Sequence, residues 1–128
     1  MARVLVVDDD SGVREIVGQA LQDAHFEPTT VDSGRNAIKE LCRATAADEP
    51  YDAMVIDIIM PDIDGWQVLE AVKSNPLWKR MPVVVISGHA NGTGDVARVS
   101  DFDGFFVEKR GNFVDVISTA LGRLLQAA

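Results

Sequence analysis

Short apolar runs rich in β-branched residues alternate along this chain with segments whose apolar positions recur at three- and four-residue spacing. Side chains repeat every two residues on a strand and about every 3.6 on a helix, so the alternation predicts repeated βα units around a parallel sheet. Five units can be read. Val4-Leu5-Val6-Val7 is the first strand, and Val13, Ile16, Val17, Ala20 and Leu21 make one face of the helix after it, with Asp10 or Ser11 as the cap. Residues 26–31 are more polar and contain Pro28, which has no N–H for a ladder, so they predict an edge strand. The second helix is expected to turn Ala37, Ile38, Leu41 and Cys42 inward.

Ala53-Met54-Val55-Ile56 is apolar throughout, as a central strand covered on both faces must be. A loop from Pro61 to Gly65 leads to a helix with Val68, Leu69 and Val72 on its inner side. Residues 83–86 and 105–107 are the fourth and fifth strands, and Phe113, Ile117, Ala120, Leu121 and Leu124 give the last helix the clearest period of all. Between them, residues 89–104 hold Asn91, Gly92, Thr93 and Gly94, all poor helix formers, so a short or mobile fourth helix is expected there.

Composition narrows the picture. With 128 residues, 47% of them apolar, residues 1–128 are expected to fold as one domain around a real core. Twenty acidic side chains against twelve basic ones leave a net charge of −8, a field that repels nucleic acid where no basic patch overrides it, and none is visible. The apolar run from Val4 to Val7 is far too short for a signal-peptide core or a membrane span, so a cytoplasmic protein with no membrane partner is expected. Cys42 is the only cysteine, which excludes an internal disulfide, and its place beside Leu41 predicts burial.

Polar chemistry collects at the strand ends. Val7 is followed by Asp8-Asp9-Asp10, Ile56 by Asp57, Ile86 by Ser87, and Val107 by Glu108-Lys109. In an open parallel sheet these ends share one edge, and ligands bind there at the switch point of strand order. With the flavodoxin-like order 2-1-3-4-5, the first and third strands are neighbours, which brings Asp8 and Asp9 near Asp57 while Ser87 and Lys109 approach from the far side. Three converging carboxylates must take up protons or a cation, and Mg²⁺, a hard ion content with one or two carboxylates plus waters and a phosphate, suits them. An aspartate nucleophile with a lysine and a hydroxyl beside it can accept a phosphoryl group, a transfer catalysed mainly by positioning and charge. Taken singly, Asp8 to Asp10 read as helix caps, Ser87 as a turn residue and Lys109 as a solvated charge; together they require that bland explanation four times along the same edge.

These residues resemble the receiver domains of two-component response regulators over essentially the whole chain. The resemblance is carried by Val6-Val7-Asp8-Asp9, by the segment from Asp57 through Ile58, Ile59, Met60, Pro61, Asp62, Ile63 and Asp64 to Gly65, by Ser87-Gly88, and by Phe106 with Lys109. It implies that Asp57 is the phosphoacceptor and a metal ligand, Asp9 a direct ligand, Asp8 a ligand through water, and the Ile59 carbonyl another ligand. It further implies that Ser87 hydrogen-bonds the phosphoryl group, that Lys109 pairs with it, and that Phe106 turns inward as Ser87 moves. That motion would remodel a face made by the fourth helix, fifth strand and last helix. The implied donor is a phosphohistidine on a histidine kinase or phosphotransfer protein, the implied recipient of the signal a downstream protein, and no conventional turnover enzyme is expected.

The chain departs from the family at Arg110 and Gly88. Arg110 stands where proline usually follows the lysine, often after a cis bond; a non-proline cis bond costs about 2.5–4 kcal/mol, so a trans bond is expected. Gly88 replaces a more usual alanine. Ile59 and His89 would flank the phosphoryl group, and bulky Ile59 is expected to hinder water and prolong the phosphorylated state. The main alternative is a phosphorylation-independent pseudo-receiver acting as a protein-binding module. A phosphatase of the haloacid-dehalogenase kind is prompted by Asp62-Ile63-Asp64-Gly65, but that motif should directly follow a buried strand, and here the strand ends at Asp57. An EF-hand loop fails because Met60 stands where an oxygen ligand is needed.

Overall fold

The computed structural model of the chain describes residues 1–88, 98, 99, 102 and 104–126. Strands β1 (Arg3–Val7), β2 (Glu27–Val31), β3 (Ala53–Asp57), β4 (Val83–Ser87) and β5 (Phe105–Glu108) lie parallel in the order β2-β1-β3-β4-β5. Helices α1 (Ser11–Asp23), α2 (Gly34–Ala46), α3 (Gly65–Ser74) and α4 (Phe113–Gln126) cover the two faces. This is the expected flavodoxin-like α/β sandwich. The expectation of a fourth helix across residues 89–104 falls almost wholly outside the described residues, as does the place of His89.

Strand alternation divides the core in two. Leu5, Val7, Met54, Ile56, Val83 and Val85 face α2 and α3, whereas Val4, Val6, Ala53, Val55, Val84 and Ile86 face α1 and α4. Every residue of β3 and β4 is buried, which is why their sequences are apolar without a break. β2 pairs only with β1, so Pro28 lies on an edge strand as its chemistry requires.

Helix phase corrects two of the expected inward residues. On α2 the buried residues are Gly34, Ala37, Leu41 and Ala44, and Cys42 is exposed rather than buried. On α1 the buried residues are Val17 and Leu21, and Ile16 is 49% exposed. Each misplaced residue is adjacent in sequence to a stripe residue and therefore about 100° around the helix from it, which carries the side chain off the stripe.

The helix starts are explicit. Asp10 accepts from the Gly12 and Val13 amides at α1, Ser33 accepts from the Asn36 amide at α2, and Asp64 forms a capping box with Gln67 at α3. α2 is also tied to the start of β3, where the Tyr51 hydroxyl donates to Glu40. The Arg43 guanidinium, opposed by burial and assisted by Tyr51, holds the Glu40 carboxyl down to about 2. Trp78 packs half-buried in the turn before β4 and donates its indole N–H to the Thr45 hydroxyl, while His25 sits in the turn after α1.

Gly65 is the tightest backbone approach near the strand ends. A β-carbon there would lie 2.4 Å from the Asp57 carbonyl oxygen and 2.7 Å from the Ile58 α-carbon, whereas one on Gly122 in α4 would touch nothing within 4 Å. Gly65→Ala is therefore expected to destabilise the fold by about 1–3 kcal/mol through overpacking. Gly122→Ala is expected to stabilise it by about 0.5–1 kcal/mol through helix propensity. Urea unfolding of the two variants checks both signs.

Candidate functional site

The register of the sheet assembles the site. Val7 of β1 pairs with Ile56 of β3, so Asp8 leaves one strand beside Asp57 at the end of its neighbour. Asp57 in turn pairs with Ile86, and Ser87 with Glu108, which puts Ser87 and Lys109 on the other side of Asp57. A backbone bond from the Lys109 amide to the Ser87 carbonyl, 2.9 Å, continues the ladder one step beyond β5. The Lys109–Arg110 bond is trans, as the absence of proline predicted.

Asp8, Asp57 and Ser87 are the buried polar side chains of the described core; Asp9 is exposed. Carboxylate oxygens of Asp8, Asp9 and Asp57 lie within 4.8 Å of one another. Lys109 Nζ faces two of the three, 2.7 Å from Asp8 Oδ2 and 3.2 Å from Asp57 Oδ2. Burial above all, and then the charge of Asp8, push the Asp57 carboxyl up, against the opposing pull of Lys109. Burial alone would lower Lys109, but the contacts with Asp8 and Asp57 outweigh it and the ammonium is held above its ordinary value.

The donor set fits a hard cation. All three side chains offer oxygen, and the wholly buried Asp8 Oδ2 faces the Lys109 ammonium at 2.7 Å. Asp8 itself is fixed from both ends, since its Oδ1 accepts from the Asp10 amide and its carbonyl from Arg14. Asp57 Oδ1 is held only loosely, with the Ile59 amide 3.4 Å away. Ile59 is 54% exposed beside it. Phe106, opposite Val85 in the register, is half-buried against the core on the α2–α3 side of the sheet.

The two acids that prompted a phosphatase motif lie elsewhere in the hydrogen-bond network. Asp64 caps α3, and the Asp62 carboxylate accepts from the Gly34 and Arg35 amides at the start of α2. The Arg35 amide chiefly, then those of Ile63 and Gly34, hold the Asp62 carboxyl below the usual range despite the small cost of burial. Sequence reasoning missed the role of Asp62 because its partners lie 27 and 28 positions away in the chain. It also missed Arg14, whose bond to the Asp8 carbonyl nothing in the sequence announces.

Comparison with known proteins agrees with the geometry. A family model described as the response regulator receiver domain matches residues 4–117. The chain is 38% identical over 85 residues to the two-component response regulator ORR11 of rice, an alignment covering 66% of this chain and 54% of that one. The chain spans 60% of the length of ORR5, another rice two-component response regulator, and only 11% of that of a Dictyostelium discoideum cyclic-nucleotide phosphodiesterase. Among solved structures, the chemotaxis protein CheY4 of Vibrio cholerae superposes with a TM-score of 0.81 at 27% identity, covering 97% of this chain and 98% of that one. The phosphorylated cyanobacterial phytochrome response regulator RcpA superposes with 0.86 at 26% identity, covering 99% and 96%.

The raised Asp57 carboxyl has a consequence for stability. The folded chain binds that proton more tightly than the unfolded chain, so the contribution of Asp57 is present below the ordinary carboxylate range and is lost as pH rises through the raised value. In EDTA at neutral pH, Asp57→Asn is expected to melt about 2–6 °C above the wild type and to show a shallower fall in stability above about pH 4. Thermal denaturation followed by circular dichroism across pH measures both.

Proposed function

The chain belongs to the response regulator receiver domains of two-component signalling, and from that premise we propose that it works by accepting a phosphoryl group on Asp57 in a Mg²⁺-dependent reaction. The observation that carries the reading is the meeting of Asp8, Asp9 and Asp57 within 4.8 Å, with the Lys109 ammonium 3.2 Å from the acceptor carboxylate. Such a constellation combines a nucleophile, oxygen ligands and a fixed positive charge in one partly dehydrated pocket. A pseudo-receiver has no need of these groups together.

Asp8, Asp9, Asp57 and the Ile59 carbonyl would hold the ion, which when bound supplies positive charge against the oxygens of the incoming phosphoryl group. An Asp57 oxygen forms the new bond to phosphorus as the bond to the donor nitrogen of a phosphohistidine breaks, and the imidazole leaves with the electron pair. Lys109 stands ready to exchange its Asp57 contact for a phosphoryl oxygen, and the Ser87 hydroxyl, buried at the end of β4, donates to another. Movement of Ser87 toward the phosphoryl group opens room for half-buried Phe106 to turn inward. The change is then read on the face of β5 and α4 together with the segment before β5. Physically, a doubly charged group biases a two-state element.

The partners in this reading are a histidine kinase or phosphotransfer protein upstream and a protein target downstream. Residues 1–128 act as one receiver domain in the cytoplasm, and among the described residues no helix is long and apolar enough to cross a membrane. The domain promotes its own phosphorylation and dephosphorylation without turning over a separate substrate. Ile59 stands at the mouth of the pocket, where its side chain obstructs the approach of water to the acyl phosphate.

Incubation with acetyl phosphate and Mg²⁺ is expected to add one phosphoryl group by intact mass, and the gain should vanish in Asp57→Asn or with EDTA. A gain that persists in Asp57→Asn would remove Asp57 as the acceptor. Replacing Ile59 by Asn is expected to shorten the lifetime of the phosphorylated protein, measured as the decay of that mass after removal of the donor. An unchanged lifetime would show that Ile59 does not shield the bond.

A further inference from the structure

The loop from Asp57 to Gly65 is held at two places. At its neck the Gly65 amide donates to the Ile58 carbonyl at 2.7 Å, and the absence of a Gly65 side chain lets α3 start directly against the Asp57 carbonyl. At its far side Asp62 lays its carboxylate across the first amides of α2, with Oδ2 3.0 Å from the Arg35 nitrogen and Oδ1 3.3 Å from that of Gly34. Ser33 satisfies the next amide, that of Asn36, so two residues from different parts of the chain divide the helix start between them. The fit is close: a β-carbon on Gly34 would come within 2.5 Å of the Ile63 side chain and 2.8 Å of its carbonyl oxygen.

Between neck and clamp, Ile58 and Met60 are buried in the core and Ile59 is turned outward. Only Pro61, whose φ is fixed by its ring, separates the Met60 anchor from the Asp62 clamp. The backbone at Ile59, whose carbonyl would be the ligand that does not come from a carboxylate, is therefore set by strand β3 on one side and by α2, through Asp62, on the other. We propose that Asp62 is a positioning residue for the metal and phosphoacceptor site, holding the Ile59 carbonyl in place by docking the loop onto the start of α2. This rests on the reading of Asp57 and its neighbours as a Mg²⁺-dependent phosphoacceptor site. The carboxylate suits the task because two parallel acceptor oxygens match two successive helix amides, and because the helix dipole favours negative charge there.

The test is Mg²⁺ titration of the full chain by calorimetry, with the melting temperature of each variant recorded alongside. Asp62→Ala is expected to weaken Mg²⁺ binding by about tenfold, the lower range for groups that orient metal ligands from behind. Asp62→Asn keeps one acceptor oxygen, should fold even if the alanine variant does not, and is expected to bind more weakly than wild type but more tightly than Asp62→Ala. Ser33→Ala removes a cap from the same helix without touching the loop, so its melting temperature should fall while its Mg²⁺ affinity stays that of wild type. Unchanged affinity in both Asp62 variants, or equal weakening in Ser33→Ala, would overturn the positioning role. A wild-type chain that binds no Mg²⁺ at millimolar concentration would instead overturn the underlying reading of the site, and the positioning role with it.

Discussion

Carboxylates crowded into a partly dehydrated pocket repel one another, and here three of them meet while one lysine ammonium faces two of the three. The backbone that carries them has to resist that repulsion. Asp8 and Asp57 stand at the ends of β1 and β3, adjacent central strands whose side chains are almost wholly buried and whose partners on both sides are fixed by register. Asp8 is further pinned by the Asp10 amide and by Arg14, so it cannot swing away to relieve the charge. The strain is expressed in protonation, with Asp57 pushed up chiefly by burial and Lys109 held charged between two acids. A site prepared in this way favours any event that brings positive charge or spreads the negative charge over more atoms.

Much of this was legible in the amino-acid sequence because it depends on period and on strand ends. The unbroken apolar runs at Ala53–Asp57 and Val83–Ser87 could only be strands covered on both faces, and each broke off at a residue with chemistry in its side chain. Strand order then did the rest, since order 2-1-3-4-5 makes neighbours of Asp8 and Asp57. Helix phase was less secure. Cys42 and Ile16 each adjoin a stripe residue, and a single step around the helix takes them to the surface. Hydrogen bonds outside the helix and strand periods were not legible at all: Tyr51 with Glu40, Arg14 with the Asp8 carbonyl, and Asp62 with α2 join positions that neither period connects.

Asp62-Ile63-Asp64-Gly65 shows how a local motif can mislead and then be resolved by its surroundings. As letters it invites a second phosphate chemistry; in three dimensions each acid serves the start of a different helix. Gly65 then brings α3 close enough to the Asp57 carbonyl that the whole loop becomes a fixed bridge between β3, α2 and α3. It is held by backbone amides, by the close contact at Gly65 and by the buried side chains of Ile58 and Met60.

The outermost strand carries a quieter consequence. Glu27 donates its amide to the Ala2 carbonyl and the Val31 carbonyl accepts from Asp8, so alternate residues of β2 point their peptide groups inward while Pro28 and Thr30 turn theirs to the outside. Proline has no hydrogen to offer on that side, which leaves an intruding chain with an interrupted template. Such a margin discourages runaway stacking of one molecule on the next, a hazard for any protein whose flattest surface ends in bare peptide groups.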